Sequence, residues 1–141
     1  MSMLAARLVR EFEGFSATPY LCPAGVPTIG YGATRYADGV RVSLADRPIS
    51  RDTAEALMLS LLPVPAVIQL CPGIDNEGRL AALVDFAYNL GIGNLRASAL
   101  CRRVNAGEWD LVPGELMRWV RAGGRVLPGL VRRRAAESAL I

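Results

Sequence analysis

The chain has 141 residues, 52% hydrophobic and 21% charged, enough for one domain with one core, and its 14 Gly and 9 Pro leave it globular in composition. All 16 basic side chains are Arg, set against 13 carboxylates for a formal charge of +3, and there is no His. That excludes Ser-His-Asp and Cys-His relays, H-E-x-x-H zinc sites, Walker P-loops and lysine Schiff bases, and it favours hydrolysis by positioned carboxylates.

Leu4, Leu8, Val9 and Phe12 recur at helical intervals, predicting a helix over residues 3–13 that stops at Gly14 and leaves Glu13 at its C-terminal end. Residues 17–42 mix β-branched and aromatic residues with Gly and Pro and predict a small sheet or ribbon, with a hairpin turn at Asp38-Gly39. Ser50 is a predicted N-cap, with Asp52 near the positive end of the dipole, for a helix over about 51–62 that Pro63 ends. After Cys71-Pro72-Gly73, Asp75 or Asn76 caps an apolar helix that stops at Gly91 and turns Leu80, Leu83, Val84, Ala87 and Tyr88 to the core. Three more helices are predicted near 95–106, 109–122 and 129–140, separated by Gly107, Gly123-Gly124 and Pro128-Gly129. The result is an α+β chain with its strands gathered near the N-terminus.

Cys22, Cys71 and Cys101 are too few and too scattered for a disulfide framework or a four-cysteine zinc site, so reduced thiols are expected. The opening MSMLAARLVREFEG lacks the h-region and cleavage site of a secretory signal, which points to the cytosol. The most apolar stretch, 57–70, contains Pro63 and Pro65 and is shorter than the ~18 residues of a membrane-spanning helix, so no transmembrane segment is expected. The positive charge favours anionic partners without choosing among them.

The informative stretch is Glu13-Gly14-x5-Tyr20-x-Cys22-x5-Thr28-Ile29-Gly30-Tyr31-Gly32. It hangs a carboxyl from a helix end and presents a thiol and a hydroxyl from a glycine-rich ribbon able to face it. Flanked by Phe12 and Phe15, Glu13 is the natural proton donor of the group. Each group also has a plainer reading: Glu13 as a solvated helix-end carboxylate, Cys22 as a small buried hydrophobe, Thr28 as an ordinary strand residue. Gly30 and Gly32 are not a phosphate loop, since no helix follows them.

This segment resembles the phage-type lysozymes or endolysins of glycoside hydrolase family 24, whose Glu-x8-Asp/Cys-x5-Thr pattern lies inside an EG…Y…TIGYG stretch. Two further stretches look like the family: LVDFAYNLGIGNL at 83–95 and RWVRAGGRVLPGLVRRRAAE at 118–137. The resemblance implies a single lysozyme-like domain over 1–141, with a β-containing lobe at about 15–50, a helical lobe at about 51–141 plus helix 3–13, and the active-site cleft between them. It implies hydrolysis, with inversion, of the β-1,4 bond between N-acetylmuramic acid and N-acetylglucosamine in peptidoglycan. Glu13 takes the place of the general acid, Cys22 the place usually held by Asp beside the attacking water, and Thr28 the place of the residue that orients that water. Gly30 and Tyr31 fall at substrate-binding positions. A thiol of pKa about 8.5 is a poor base at neutral pH beside an Asp of about 3.9, so either its pKa is lowered locally, or positioning outweighs basicity, or the site is weak. The resemblance further implies a monomer with no metal or organic cofactor, acting on peptidoglycan glycan strands rather than nucleic acid, and waiting in the host cytoplasm until released.

A rival reading makes the chain a catalytically weak scaffold that binds cell wall, membrane or nucleic acid through the arginines from Arg118 to Arg134, above all Arg132-Arg133-Arg134. Peripheral contact with anionic surfaces belongs to either reading. A third is membrane disruption by an amphipathic helix over 129–140, with Leu130 and Ala135 flanking the Arg cluster.

Overall fold

The computed structural model describes residues 2–141. Helix α1 (Met3–Glu13) starts where the Ser2 hydroxyl accepts from Ala5 N at 3.1 Å. The same hydroxyl donates to Glu77 Oε1 at 2.7 Å. Ala5, Ala6, Leu8 and Val9 are buried on one side of α1. At its other end Gly14 takes φ +66°, a left-handed conformation that glycine adopts without a Cβ penalty, and this leaves Glu13 as the last helical residue, as its sequence position predicts.

The chain divides into two compact units, Val9–Leu62 and a second made of residues up to Leu8 with Pro63–Ile141. In the first, β1 (Ser16–Leu21) pairs antiparallel with β2 (Pro27–Gly30) in the register Ser16↔Gly30, Tyr20↔Thr28, Leu21↔Pro27, with a bulge between Ser16 and Tyr20. The rest of the predicted ribbon is sparser than expected. Ile29 bridges Ala33 and Arg35 bridges Arg41, the latter around the expected Asp38-Gly39 turn, where Asp38 Oδ1 accepts from Val40 N at 3.0 Å. Glycines and prolines at this density interrupt the ladder before strands lengthen. Helix α2 (Arg51–Leu61) begins as predicted, with Ser50 Oγ accepting from Thr53 N at 3.0 Å and Asp52 in the first turn. Ile29, Ala33, Val42 and Leu57 form the core of this unit, with Tyr36, Ile49 and Leu61 packed against them. The unit thus takes in α2, which the resemblance placed in the helical lobe.

The second unit holds α3 (Val64–Leu70), α4 (Glu77–Leu90), α5 (Ile92–Ala97), α6 (Ala99–Asn105), a 3-10 turn (Trp109–Leu111), α7 (Val112–Leu116), β3 (Arg121–Ala122), β4 (Arg125–Val126) and α8 (Pro128–Ser138). Asn76 caps α4 by accepting from Arg79 N at 2.9 Å, and Ala81 to Ala87 are buried without interruption. Leu83, Val84 and Ala87 are in the core as expected, whereas Leu80 and Tyr88 are only half-buried.

Two expectations are corrected here. The helix predicted at 95–106 is two helices, because Ser98 Oγ donates to Leu95 O at 2.6 Å and accepts from Cys101 N at 3.0 Å, closing one helix and capping the next. The helix predicted at 109–122 gives way to a 3-10 turn, the short α7 and a two-stranded ribbon folded at Gly123-Gly124, so strands are not confined to the N-terminal part. Gly-Gly between Val120 and Val126 is itself a hairpin signal. Arg51–Leu70 is long and apolar enough by composition to span a membrane, with a mean hydropathy of 1.5. Its backbone nonetheless breaks at Leu62 and Pro63 into α2 and α3, and Ala54, Leu57, Met58 and Val67 are buried within the protein.

Candidate active site

All five residues singled out from the sequence lie in the Val9–Leu62 unit. Glu13 is half-buried at the end of α1, and its carboxyl group packs on the backbone of Gly32. A Cβ at position 32 would come within 2.6 Å of Glu13 Cδ and displace that carboxyl group, and the backbone there has φ +76°, which favours glycine.

Cys22 follows β1 at the hairpin tip, where its N–H donates to Val26 O at 3.0 Å and its carbonyl accepts from Gly25 N at 2.8 Å. The thiol is half-buried. Burial pushes its pKa up, but hydrogen bonds to the thiolate from the backbone N–H groups of Val26 and Ala24, from the Thr28 hydroxyl and from its own N–H outweigh burial and set it below the ordinary thiol value. Thr28 is buried, and its hydroxyl donates to Val26 O at 2.8 Å. One hydroxyl hydrogen cannot serve both acceptors. Its observed acceptor is the Val26 carbonyl.

Tyr20 ties the two halves of this arrangement together. Paired with Thr28 across the ribbon, its phenol is held above the usual range first by burial, then by the Glu13 carboxylate and the Cys22 thiolate. Glu13, Tyr20, Cys22 and Thr28 therefore form one electrostatic cluster. Sequence reading quoted Tyr20 and Gly32 within the motif but gave them no role. The signals were the closeness of Tyr20 to Cys22 in the sequence, two residues apart, and the Gly-Tyr-Gly turn.

Gly30 and Tyr31 are both buried. A Cβ at Gly30 would lie 3.1 Å from Ala54 Cβ, so this residue seats β2 on α2. The Tyr31 ring packs 5.6 Å from that of Phe15, and its hydroxyl accepts from Arg51 NH1 at 3.4 Å. Arg51 lies 4.3 Å over the Phe15 ring, an attraction between cation and ring quadrupole.

The arginine run of α8 is not the exposed basic face that its sequence suggests. Arg133 makes a buried bidentate pair with Asp85, Nε to Oδ2 and NH2 to Oδ1, both at 2.8 Å. Arg134, also buried, donates to Asn89 Oδ1 and Glu137 Oε1, both at 2.8 Å. Of the three only Arg132 is exposed. Two-thirds of the run thus serves the interior, which weakens both the anionic-polymer and the membrane-disrupting readings.

The phage lysozyme family model matches residues 10–137, which includes every residue of this cluster. The chain belongs to the phage lysozyme family. It is 34% identical over 147 residues to the endolysin of Bacillus phage B103, covering 99% of this chain and 53% of that protein. It is 30% identical to the SAR-endolysin of Haemophilus phage HP1, covering 99% of this chain and 80% of that one. The solved endolysin from Escherichia coli O157:H7 phage FAHEc1 superposes with a TM-score of 0.86 at 30% identity, over 99% of this chain and 90% of that one, and the fold is therefore α+β and lysozyme-like. The chain spans about half the length of the Bacillus phage relatives that it matches.

Proposed function

We propose that the whole chain works as a single lysozyme-like domain, an endolysin that hydrolyses the β-1,4 bond between N-acetylmuramic acid and N-acetylglucosamine in peptidoglycan, with inversion. The family match carries this reading, and the cluster of Glu13, Tyr20, Cys22 and Thr28 supports it. In this mechanism the Glu13 carboxylic acid protonates the departing glycosidic oxygen as the bond to the anomeric carbon breaks. Water attacks the opposite face of that carbon, oriented by the Thr28 hydroxyl, and its proton passes to the Cys22 thiolate. Proton exchange with solvent then resets both groups. Gly30 and Tyr31 support substrate binding from below, by holding the turn that carries Gly32 rather than by presenting side chains to the sugar.

Release of reducing ends from purified peptidoglycan tests the activity, and no release by the folded chain overturns it. A lowered Cys22 pKa predicts a rate that climbs with pH as the thiol ionises, with a midpoint below that of an unperturbed thiol. Cys22→Ala is expected to lose this alkaline rise. Cys22→Asp, ionised above about pH 4, is expected to keep or raise activity near neutrality. An unchanged pH profile in Cys22→Ala removes the base assignment.

Gly32→Ala is expected to cost about 1–2 kcal/mol for its left-handed backbone. Its effect on turnover is expected to be larger, roughly 10²-fold, because the new Cβ pushes the Glu13 carboxyl out of place. Thermal melting and turnover on one preparation separate the two losses, and full turnover in the variant contradicts the placement of Glu13.

The relatives named as endolysins support a cell-wall substrate, and storage in the host cytoplasm until release is the route proposed with it. Fractionation before lysis is expected to find the chain with the soluble proteins, and recovery in the membrane or outside the cell overturns that route.

A further inference from the structure

Outside the catalytic cluster, two more thiols stand together in the second unit. Cys71 caps the C-terminal end of α3 and Cys101 lies in α6; both are free and buried, with Sγ atoms 3.9 Å apart. The Asn105 amide fixes this approach from the end of α6. Its Nδ2 donates to Leu70 O at 3.1 Å, on the last residue of α3, and to Cys101 Sγ at 3.6 Å. One side chain thus pins the end of α3 against α6 beside both sulfurs. A surface cavity of about 260 Å³ includes Cys71 in its wall, together with Ile68, Pro72, Ile74 and Leu80.

We propose that Cys71 and Cys101 form an oxidation site, a thiol pair that stays reduced in a reducing compartment and closes into a disulfide when the chain meets a small-molecule or protein disulfide as oxidant. The sulfurs, now 3.9 Å apart, need to approach by about 1.9 Å to reach a bond of about 2.05 Å. One thiolate attacks the oxidant RSSR and expels one thiol, and the second protein thiolate attacks the mixed disulfide and expels the other. Two protein thiols and RSSR become one protein disulfide and two RSH, a balanced two-electron exchange.

The reaction is slow by construction. Burial, and after it the neighbouring Cys101, push the Cys71 thiol up to about 12, so little attacking thiolate exists at neutral pH and the cavity side must open for the oxidant to enter. Once closed, the bond ties the end of α3 to α6 around the loop that contains all of α4 and α5. Such a staple constrains the unfolded chain and strengthens the unit after the protein leaves the reducing interior. The expected compartment rests on the proposed wall substrate, whereas the thiol chemistry does not.

The test uses the full folded chain with Cys22→Ser, so that only the pair reacts, in glutathione buffers of graded reduced-to-oxidised ratio. Expected are joint loss of both thiols without retained glutathione, a peptide linking Cys71 to Cys101, faster closure at higher pH, and a Tm about 10 °C above the reduced form. Separate glutathione adducts on the two cysteines, or no link even in mild denaturant that opens α3, overturn the proposal. Cys71→Ala and Cys101→Ala are expected to melt identically in both buffers. A redox-dependent Tm surviving in either variant assigns the shift elsewhere and also overturns it. No readout depends on glycan cleavage, so failure here and failure of the wall-degrading function remain distinct.

Discussion

Glu13→Gln is expected to lower glycan cleavage by about 10²- to 10⁴-fold in a chain that still folds, the usual worth of a positioned general acid. The amide keeps the size and planarity of the carboxyl and can still pack on Gly32, but it cannot transfer a proton to a departing sugar oxygen. A synthetic substrate with a good leaving group depends less on that proton, so its loss in Glu13→Gln is expected to be much smaller than the loss on peptidoglycan. Equal losses on both would mean that the variant disturbs binding or water placement rather than acid catalysis. Full activity on peptidoglycan would mean that another group supplies the proton. Near-UV circular dichroism on the same sample separates a chemical loss from a structural one.

Asp85→Ala is expected to destabilise the chain by about 3–5 kcal/mol, the range for removing one partner of a buried ion pair. The Arg133 side chain is 4% exposed and that of Asp85 fully buried, so water cannot take over the two hydrogen bonds that Arg133 loses. For a domain of this size the melting temperature is expected to fall by about 10 °C or more. The double variant Asp85→Ala/Arg133→Met is expected to recover much of the loss, because it no longer leaves the Arg133 charge buried without the Asp85 carboxylate. A single variant that melts within a degree or two of the original would show that the network around Arg134 carries this interior instead. The comparison also tests why α8 holds arginines at all, since a solvated basic face predicts almost no change from Asp85→Ala.

Features with short-range causes were legible before any coordinates. The end of α1 at Gly14, the caps of α2 by Ser50 and of α4 by Asn76, and the turn at Asp38-Gly39 each depend on a side chain or a φ value within a few residues, and such signals survive in a linear text. The break at Ser98 was equally local, yet a serine inside an apolar run reads as either a helical residue or a cap until its hydroxyl is seen accepting from Cys101 N. The Gly123-Gly124 ribbon was missed because a glycine pair separates helices and folds hairpins equally well, and two-residue strands carry no alternation.

In the site, the order and spacing of Glu13, Cys22 and Thr28 were readable because a hairpin after a helix end is a local arrangement. The chemistry of Cys22 was not readable. Whether a thiol is a buried hydrophobe or a stabilised thiolate depends on which N–H and O–H groups point at it, and those of Ala24, Val26 and Thr28 converge only once the ribbon has turned. The glycine at 32 likewise reads as a flexible loop residue until Glu13 fills the space where its side chain would be. The arginines of α8 mark the limit most clearly. Composition announces their charge, but Asp85 meets Arg133 across 48 positions of sequence, and only packing at that range turns an apparent surface into an interior. Local stereochemistry is written in neighbouring residues, whereas burial, and the pKa values and ion pairs that follow from it, belongs to residues that become neighbours by folding.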